Sequence, residues 1–156
     1  MDSTQIRTTP HQQLYEVDFV EWINQAAELL RQEKLSELDI ENLIEEVESL
    51  GRSEKNALKS NLSILLMHLL KWHYQADKRS SSWIRTIDEH RERIRLSLES
   101  SPSLKTLYLE VIEQRYAVAR KQAARETRLN ISTFPTECPY TAEQVLDDEF
   151  PSMSED

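Results

Sequence analysis

Three carboxylates, Glu45, Glu46 and Glu48, fall within one turn of an expected helix. Side chains three apart are neighbours on a helix surface, so Glu45 and Glu48 can act as a pair. Hard divalent cations take oxygen ligands, and paired helical carboxylates can hold Mg²⁺ or Mn²⁺ for phosphoester hydrolysis. Such chemistry wants a second acidic pair. Glu110 and Glu113 are the obvious later one, with no E-x-x-D near them. The apolar positions Ile40, Leu43, Ile44 and Val47 define a stripe that turns Glu45 to solvent and sets Glu46 and Glu48 on its flanks. The favoured expectation is a solvated acidic face with a glutamate paired to an arginine. A metal site at Glu45 and Glu48, serving a nucleotide or phosphoester hydrolase, is the alternative.

His68 and His73 are five residues apart, about 140° around a helix, so they cannot share one metal as an i, i+4 pair would. A hairpin turning at residues 79–80 would bring His68 near Glu92 and His73 near Asp88, while His90 belongs to the next helix. Lys71, Arg79, Arg85, Arg91 and Arg95 could line a groove with Trp72 and Trp83, where bases stack and phosphates pair. Tryptophans at helical spacing are more often core, and the arginines could equally pair with Glu45, Glu46 and Glu48. Glu46, His68, Lys71, Trp72, Trp83 and Arg91 therefore form the candidate functional cluster. Cys138, between Pro135 and Pro139, has no basic neighbour to lower its pKa and reads as a packed thiol. No Ser/His/Asp arrangement stands out.

The elements that position these residues are helices. Apolar residues recur with helical period, and no stretch alternates long enough for a confident strand. Helices are expected over 16–34 (Phe19, Trp22, Ile23, Ala26, Ala27, Leu30), 37–50, 53–77, from Ser82 as N-cap, and 102–128 from Ser101-Pro102. Gly51 reads as a left-handed helix stop. The helix over 53–77 is the most apolar and should be central. Beyond Asn130 the prolines impose extended backbone. Thr141 and Gln144 spell a capping box for a short last helix. Phe134, Tyr140 and Phe150 should dock this segment.

At 156 residues one core is feasible, burying about 70% of the unfolded chain's surface without disulfide or metal support. The domain organisation expected is a flexible arm over 1–13, a single helical domain over 14–151 and an acidic tail over 152–156. One glycine excludes glycine-rich phosphate loops and disfavours hairpin architectures. One cysteine excludes an internal disulfide framework. Neither a membrane span nor a signal peptide is legible, which points to the cytoplasm. The net charge of −9 opposes non-specific nucleic-acid binding. It is uneven: residues 33–50 hold seven acids and one lysine, whereas 78–95 and 105–128 each hold six bases and three acids.

Seven blocks in order carry a resemblance. They are Leu14-Tyr15-x-x-Asp18-Phe19-x-x-Trp22, Glu45-Glu46-Val47-Glu48-Ser49-Leu50-Gly51, and His68-Leu69-Leu70-Lys71-Trp72. Next come Ser82-Trp83-x-x-Thr86-Ile87 with Arg91, and Ser101-Pro102-Ser103-Leu104. Tyr116-x-x-Ala119-Arg120 with Glu126-Thr127, and Phe134-Pro135-x-x-Cys138-Pro139-Tyr140, complete them. Over residues 14–151 the chain resembles the bacterial family catalogued as domain of unknown function 29. The resemblance implies an all-helical bundle and supplies no catalytic residues.

The fold expected is all-α: a mostly antiparallel bundle of about five helices with a short C-terminal helix and a docking loop. The leading functional expectation is a protein-interaction or regulatory module, from charge segregation and missing catalytic grammar. A divalent-metal hydrolase using Mg or Mn is the alternative, and nucleic-acid binding through the basic fourth helix a minor one. No confident cofactor is read. Homo-oligomerisation stays open, because an amphipathic helix looks the same against its own chain or a neighbour's.

Overall fold

The computed structural model describes residues 8–152. It is all-α: six helices, five of them substantial, and no strand among the described residues. They are α1 (Pro10–Val17), α2 (Phe19–Arg31), α3 (Ile40–Tyr74), α4 (Ser81–Ser100), α5 (Leu104–Thr127) and α6 (Ala142–Leu146). The chain divides into two compact units, Met1–Arg52 and Ser53–Asp156, and α3 contributes residues to both.

Several boundaries differ from the sequence reading. The arm expected over 1–13 is helical from Pro10. Thr9 caps α1, its hydroxyl accepting from the Gln12 N–H while the Gln12 side chain accepts from the Thr9 N–H at 2.7 Å, and Pro10 occupies the first turn. This T-P-x-Q capping box is readable in the sequence, but it precedes the first obvious apolar stripe. Residues 1–7 of that arm, and 153–156 of the acidic tail, lie outside the described residues. The helix expected over 16–34 is interrupted at Asp18, which ends α1 and caps α2 through Oδ1 and the Glu21 N–H. It stops at Arg31, and the chain turns through Glu33 at φ 57°. Ser80 rather than Ser82 caps α4, and α5 starts at Leu104 rather than at Pro102.

The largest difference is at Gly51. The helices expected over 37–50 and 53–77 are one 35-residue helix, α3, with Gly51 inside it and no positive φ. A glycine costs a helix interior about 1 kcal/mol against alanine, too little to stop a helix when strong formers follow. A Cβ at Gly51 would meet nothing within 4 Å. Gly51→Ala is therefore expected to raise stability by about 0.5–1 kcal/mol in chemical denaturation. A left-handed stop there would make the same substitution destabilising.

The second unit holds the large core. Its central part is the apolar half of α3, where Leu58, Leu62, Leu65, Leu66, Leu69 and Leu70 are fully buried, as the sequence expects of the most apolar helix. Ile87 and Ile94 of α4 pack on it, with Tyr108, Tyr116, Ala119 and Ala123 of α5. The alanines let helices approach closely. Phe134, Tyr140 and Val145 of the C-terminal segment complete the same cluster, with Phe150 half-buried against it. The capping box on α6 forms as expected, Thr141 with Gln144. Among the described residues no helix is long and apolar enough to cross a membrane.

Candidate functional site

The first unit is organised around Trp22, which is 1% exposed. Its Nε1–H donates to Asp39 Oδ2 at 3.2 Å, and the His11 ring stacks on the indole at 5.3 Å. The Asp39 N–H points at His11 Nδ1 (3.0 Å), and His11 Nε2 lies 2.9 Å from the Trp22 carbonyl oxygen. The amide can only donate and the carbonyl only accept, so this geometry selects the neutral imidazole with its proton on Nε2. Asn42 donates to the same Asp39 oxygen at 2.7 Å. Three elements are thereby tied together: α1, α2 and the start of α3.

Outside this knot the unit is open. Of the fourteen large hydrophobics exposed among the described residues, ten lie in it, including Val20 at 68%, Val47 at 61% and Leu50 at 70%. Phe19, Ile23, Ala26, Ala27 and Leu30 of α2 face Leu43, Val47 and Leu50 of α3 across a groove of about 390 Å³, with Trp22 as its floor. The stripes expected from the sequence are real. The expectation that Ile40, Ile44 and Val47 face a core is corrected: no element of the first unit covers them, and they are 44%, 52% and 61% exposed.

The acidic cluster lies on the same stretch of α3. Glu46 lines the groove and accepts from the Tyr15 hydroxyl at 2.6 Å, a bond that pushes the Tyr15 phenol up to about 12. Glu45 and Glu48 are on the solvent side, both meeting Arg52, at 2.6 and 3.8 Å. The arginine is one turn further along the same helix rather than among those of α4. No group of three or more His, Cys, Asp or Glu among the described residues is placed to hold a metal ion.

In the second unit the candidate cluster is only partly assembled. Lys71 is nearly buried, bonds Glu126 at 2.7 Å and lies 4.8 Å from the Trp83 ring centroid. His68 sits in the field of Lys71, Glu126 and His90. Its Nδ1 bonds the Ile64 carbonyl at 2.9 Å. His73 meets the Tyr140 hydroxyl at 3.0 Å rather than Asp88, beside a shallow cavity of about 450 Å³ lined by Tyr74, Pro139, Gln144 and Phe150. The partners of Lys71 and His73, Glu126 and Tyr140, come from α5 and the C-terminal segment, which a hairpin between neighbouring helices does not anticipate. Arg79 stacks over Trp72 at 4.7 Å. Cys138 is a half-buried thiol, pushed up by burial, with Sγ 3.5 Å from the Tyr140 carbonyl.

Arg91 stands apart from Lys71 and Trp83. It is fully buried and spent on the C-terminal segment, its Nε donating to the Val145 carbonyl at 2.9 Å and Nη2 to those of Gln144 and Phe150. Arg95 continues the clasp to the Leu146 carbonyl at 2.7 Å and to Asp148. Two arginines of the expected nucleic-acid groove are thus occupied within the fold.

Burial holds the His68 imidazole below its ordinary value of 6.5, with Lys71 adding to the effect. A depressed folded value means that the unfolded chain takes up the proton first. The contribution of neutral His68 is then complete above about pH 6.5 and is lost as pH falls toward the folded value. Proton NMR should place the His68 midpoint below 6.5. The fall in urea midpoint on acidification through that range should be shallower in His68→Gln. An unshifted midpoint would contradict the burial.

Fold and site together define an all-helical protein that carries an open apolar groove on one unit. The chain belongs to the family described as Domain of unknown function DUF29, whose match covers residues 14–151 and so runs across both units. Neither a curated protein nor a solved structure matches it.

Proposed function

We propose that this protein is a protein-interaction or regulatory module, acting in the bacterial cytoplasm, whose contact surface is the groove between α2 and the first turns of α3. The observation that carries this reading is the open apolar groove lined by Phe19, Ile23, Leu30, Val47 and Leu50. Contiguous exposed apolar surface on a water-soluble unit is costly unless it is covered by a partner. The polar side chains elsewhere support the same reading, because Lys71, Arg91 and Arg95 are engaged in holding the second unit together. The cytoplasmic setting is supported by a single half-buried cysteine.

Photo-crosslinking in cells tests it. A crosslinking residue at position 47 should give discrete adducts that the same residue at exposed position 114 on α5 does not. Absence of any adduct specific to position 47 would remove the reading.

A further inference from the structure

We infer that the groove takes a basic amphipathic helix of another protein, resting on the interaction reading above. The shape argument comes first. α2 offers Phe19, Ile23 and Leu30 along one line, and α3 offers Leu43, Val47 and Leu50 along another. Eleven residues separate Phe19 from Leu30, about 16 Å of helix. An apolar slot of that length between two helices fits a partner helix of three to four turns bearing apolar residues at i, i+3 or i+4, i+7 and i+11. Ala26 and Ala27 at the floor leave room for its large side chains.

Charge then selects among occupants. Described residues 8–52 carry eleven acids and three bases, a net −8, whereas residues 53–152 carry fourteen acids and fifteen bases, a net +1. Nearly the whole imbalance of the chain therefore lies on the unit that carries the groove. Glu46 lines the groove, and among the described residues only its Oε1 is engaged, by Tyr15. Glu21 and Glu28 lie on α2 and Glu41, Glu45 and Glu48 on α3, with the remaining acids on α1 and the connections. Across a helix diameter of about 10–12 Å their field is partly screened at physiological salt, where the Debye length is about 8 Å, and stronger at low salt. This field repels a nucleic acid, an anionic lipid surface and a second copy of the same unit. It attracts lysines and arginines flanking an apolar stripe, and gives Glu46 a partner at the contact. Complementary charge of this kind speeds encounter and rejects acidic competitors.

Two synthetic helical peptides of about sixteen residues test this, sharing one apolar stripe and differing only in Lys/Arg or Glu flanks. Their binding to the full chain is read by fluorescence anisotropy. The basic peptide is expected to bind at least about tenfold more tightly than the acidic one, with the advantage shrinking between about 50 mM and about 500 mM salt. Val47→Ser with Leu50→Ser should weaken it about tenfold, and both positions are exposed enough for folding to survive. Glu46→Gln should narrow the gap between the peptides while leaving helicity by circular dichroism unchanged. Equal binding of both peptides would overturn the proposal, as would binding of neither. Self-association in sedimentation that the serine variants abolish would assign the groove to a second copy and overturn it too. Crosslinks at position 47 persisting in any of these cases would leave the interaction reading standing, so the two can fail separately.

Discussion

Replacing Arg91 with alanine is expected to cost about 3–5 kcal/mol of stability, among the largest effects available to any single side chain in the second unit. The reason is what the guanidinium does. It is fully buried on α4 and donates to the carbonyls of Gln144, Val145 and Phe150, gathering α6 and the residues that follow it. The first two carbonyls lie at the C-terminal end of α6, where its dipole is negative; that of Gln144 already accepts from the Asp147 N–H at 3.2 Å, and that of Val145 meets no backbone amide among the described residues. Truncation strips the Val145 and Phe150 carbonyls of this donor, each costing about 1–3 kcal/mol unless the segment peels away to reach water, while Gln144 keeps the Asp147 N–H. Burial pushes the guanidinium down from its ordinary value, with the Asp148 charge opposing that shift, yet arginine keeps its proton in proteins. Nη1 has no hydrogen-bond partner among the described residues, so the site is tolerated rather than ideal. Arg91→Met should recover part of the loss by keeping the stem packed. Urea denaturation measures the total, and hydrogen exchange over residues 142–150 should show that segment opening first. A loss under about 1 kcal/mol would contradict the clasp.

Trp22→Ala is expected to cost the first unit about 3–5 kcal/mol, the usual range for emptying a buried tryptophan site. In a unit of this size that is enough to unfold it. The indole is stacked on His11, meets the Tyr15 and Phe19 rings at 5.0 and 5.7 Å, and satisfies buried Asp39. Removing it deprives α1 and α2 of the wall they share and deletes the floor of the groove. Trp22→Phe separates the two contributions. It keeps most of the apolar area but strips Asp39 of one donor, leaving Asn42 and an incompletely paired carboxylate, so a loss of about 1–3 kcal/mol is expected. Thermal unfolding followed at 222 nm, with amide exchange resolved over α1 and α2, reads both variants. Equal losses for the two would mean that the hydrogen bond, not the packing, holds the knot.

How far the sequence speaks is clearest by comparing two stretches of α3. Leu58 to Trp72 reads as a central helix and is one, because apolar residues nearly all round a helix leave no alternative to burial. The stretch Ile40–Leu50 has an equally clear stripe, yet it borders an open groove. A pattern states that a face is apolar; it does not state whether the same chain supplies a cover. Gly51 shows a related limit. Its conformation depends on whether the helix hydrogen bonds around it are kept, and residue type alone biases that choice by only about 1 kcal/mol. The capping residues Thr9 and Thr141, by contrast, act through neighbours three positions away and are readable wherever one looks for them.

The candidate site divides in the same way. Glu45 and Glu48 were legible as a pair, and so was the pairing of a glutamate with an arginine, but not that Arg52 of the same helix would supply it. Lys71 and Trp83 do meet, while Arg91, of the same candidate set, serves the C-terminal segment. By itself the sequence determined the helical class, the apolar stripes, the Thr141 capping box and the concentration of negative charge before residue 52, all of which follow from residues close together in the chain. Only the tertiary structure decided which stripes are covered and which charged groups are consumed. Those outcomes depend on partners as far away as Arg91 and Phe150, 59 positions apart, and local periodicity carries no information about which distant element arrives.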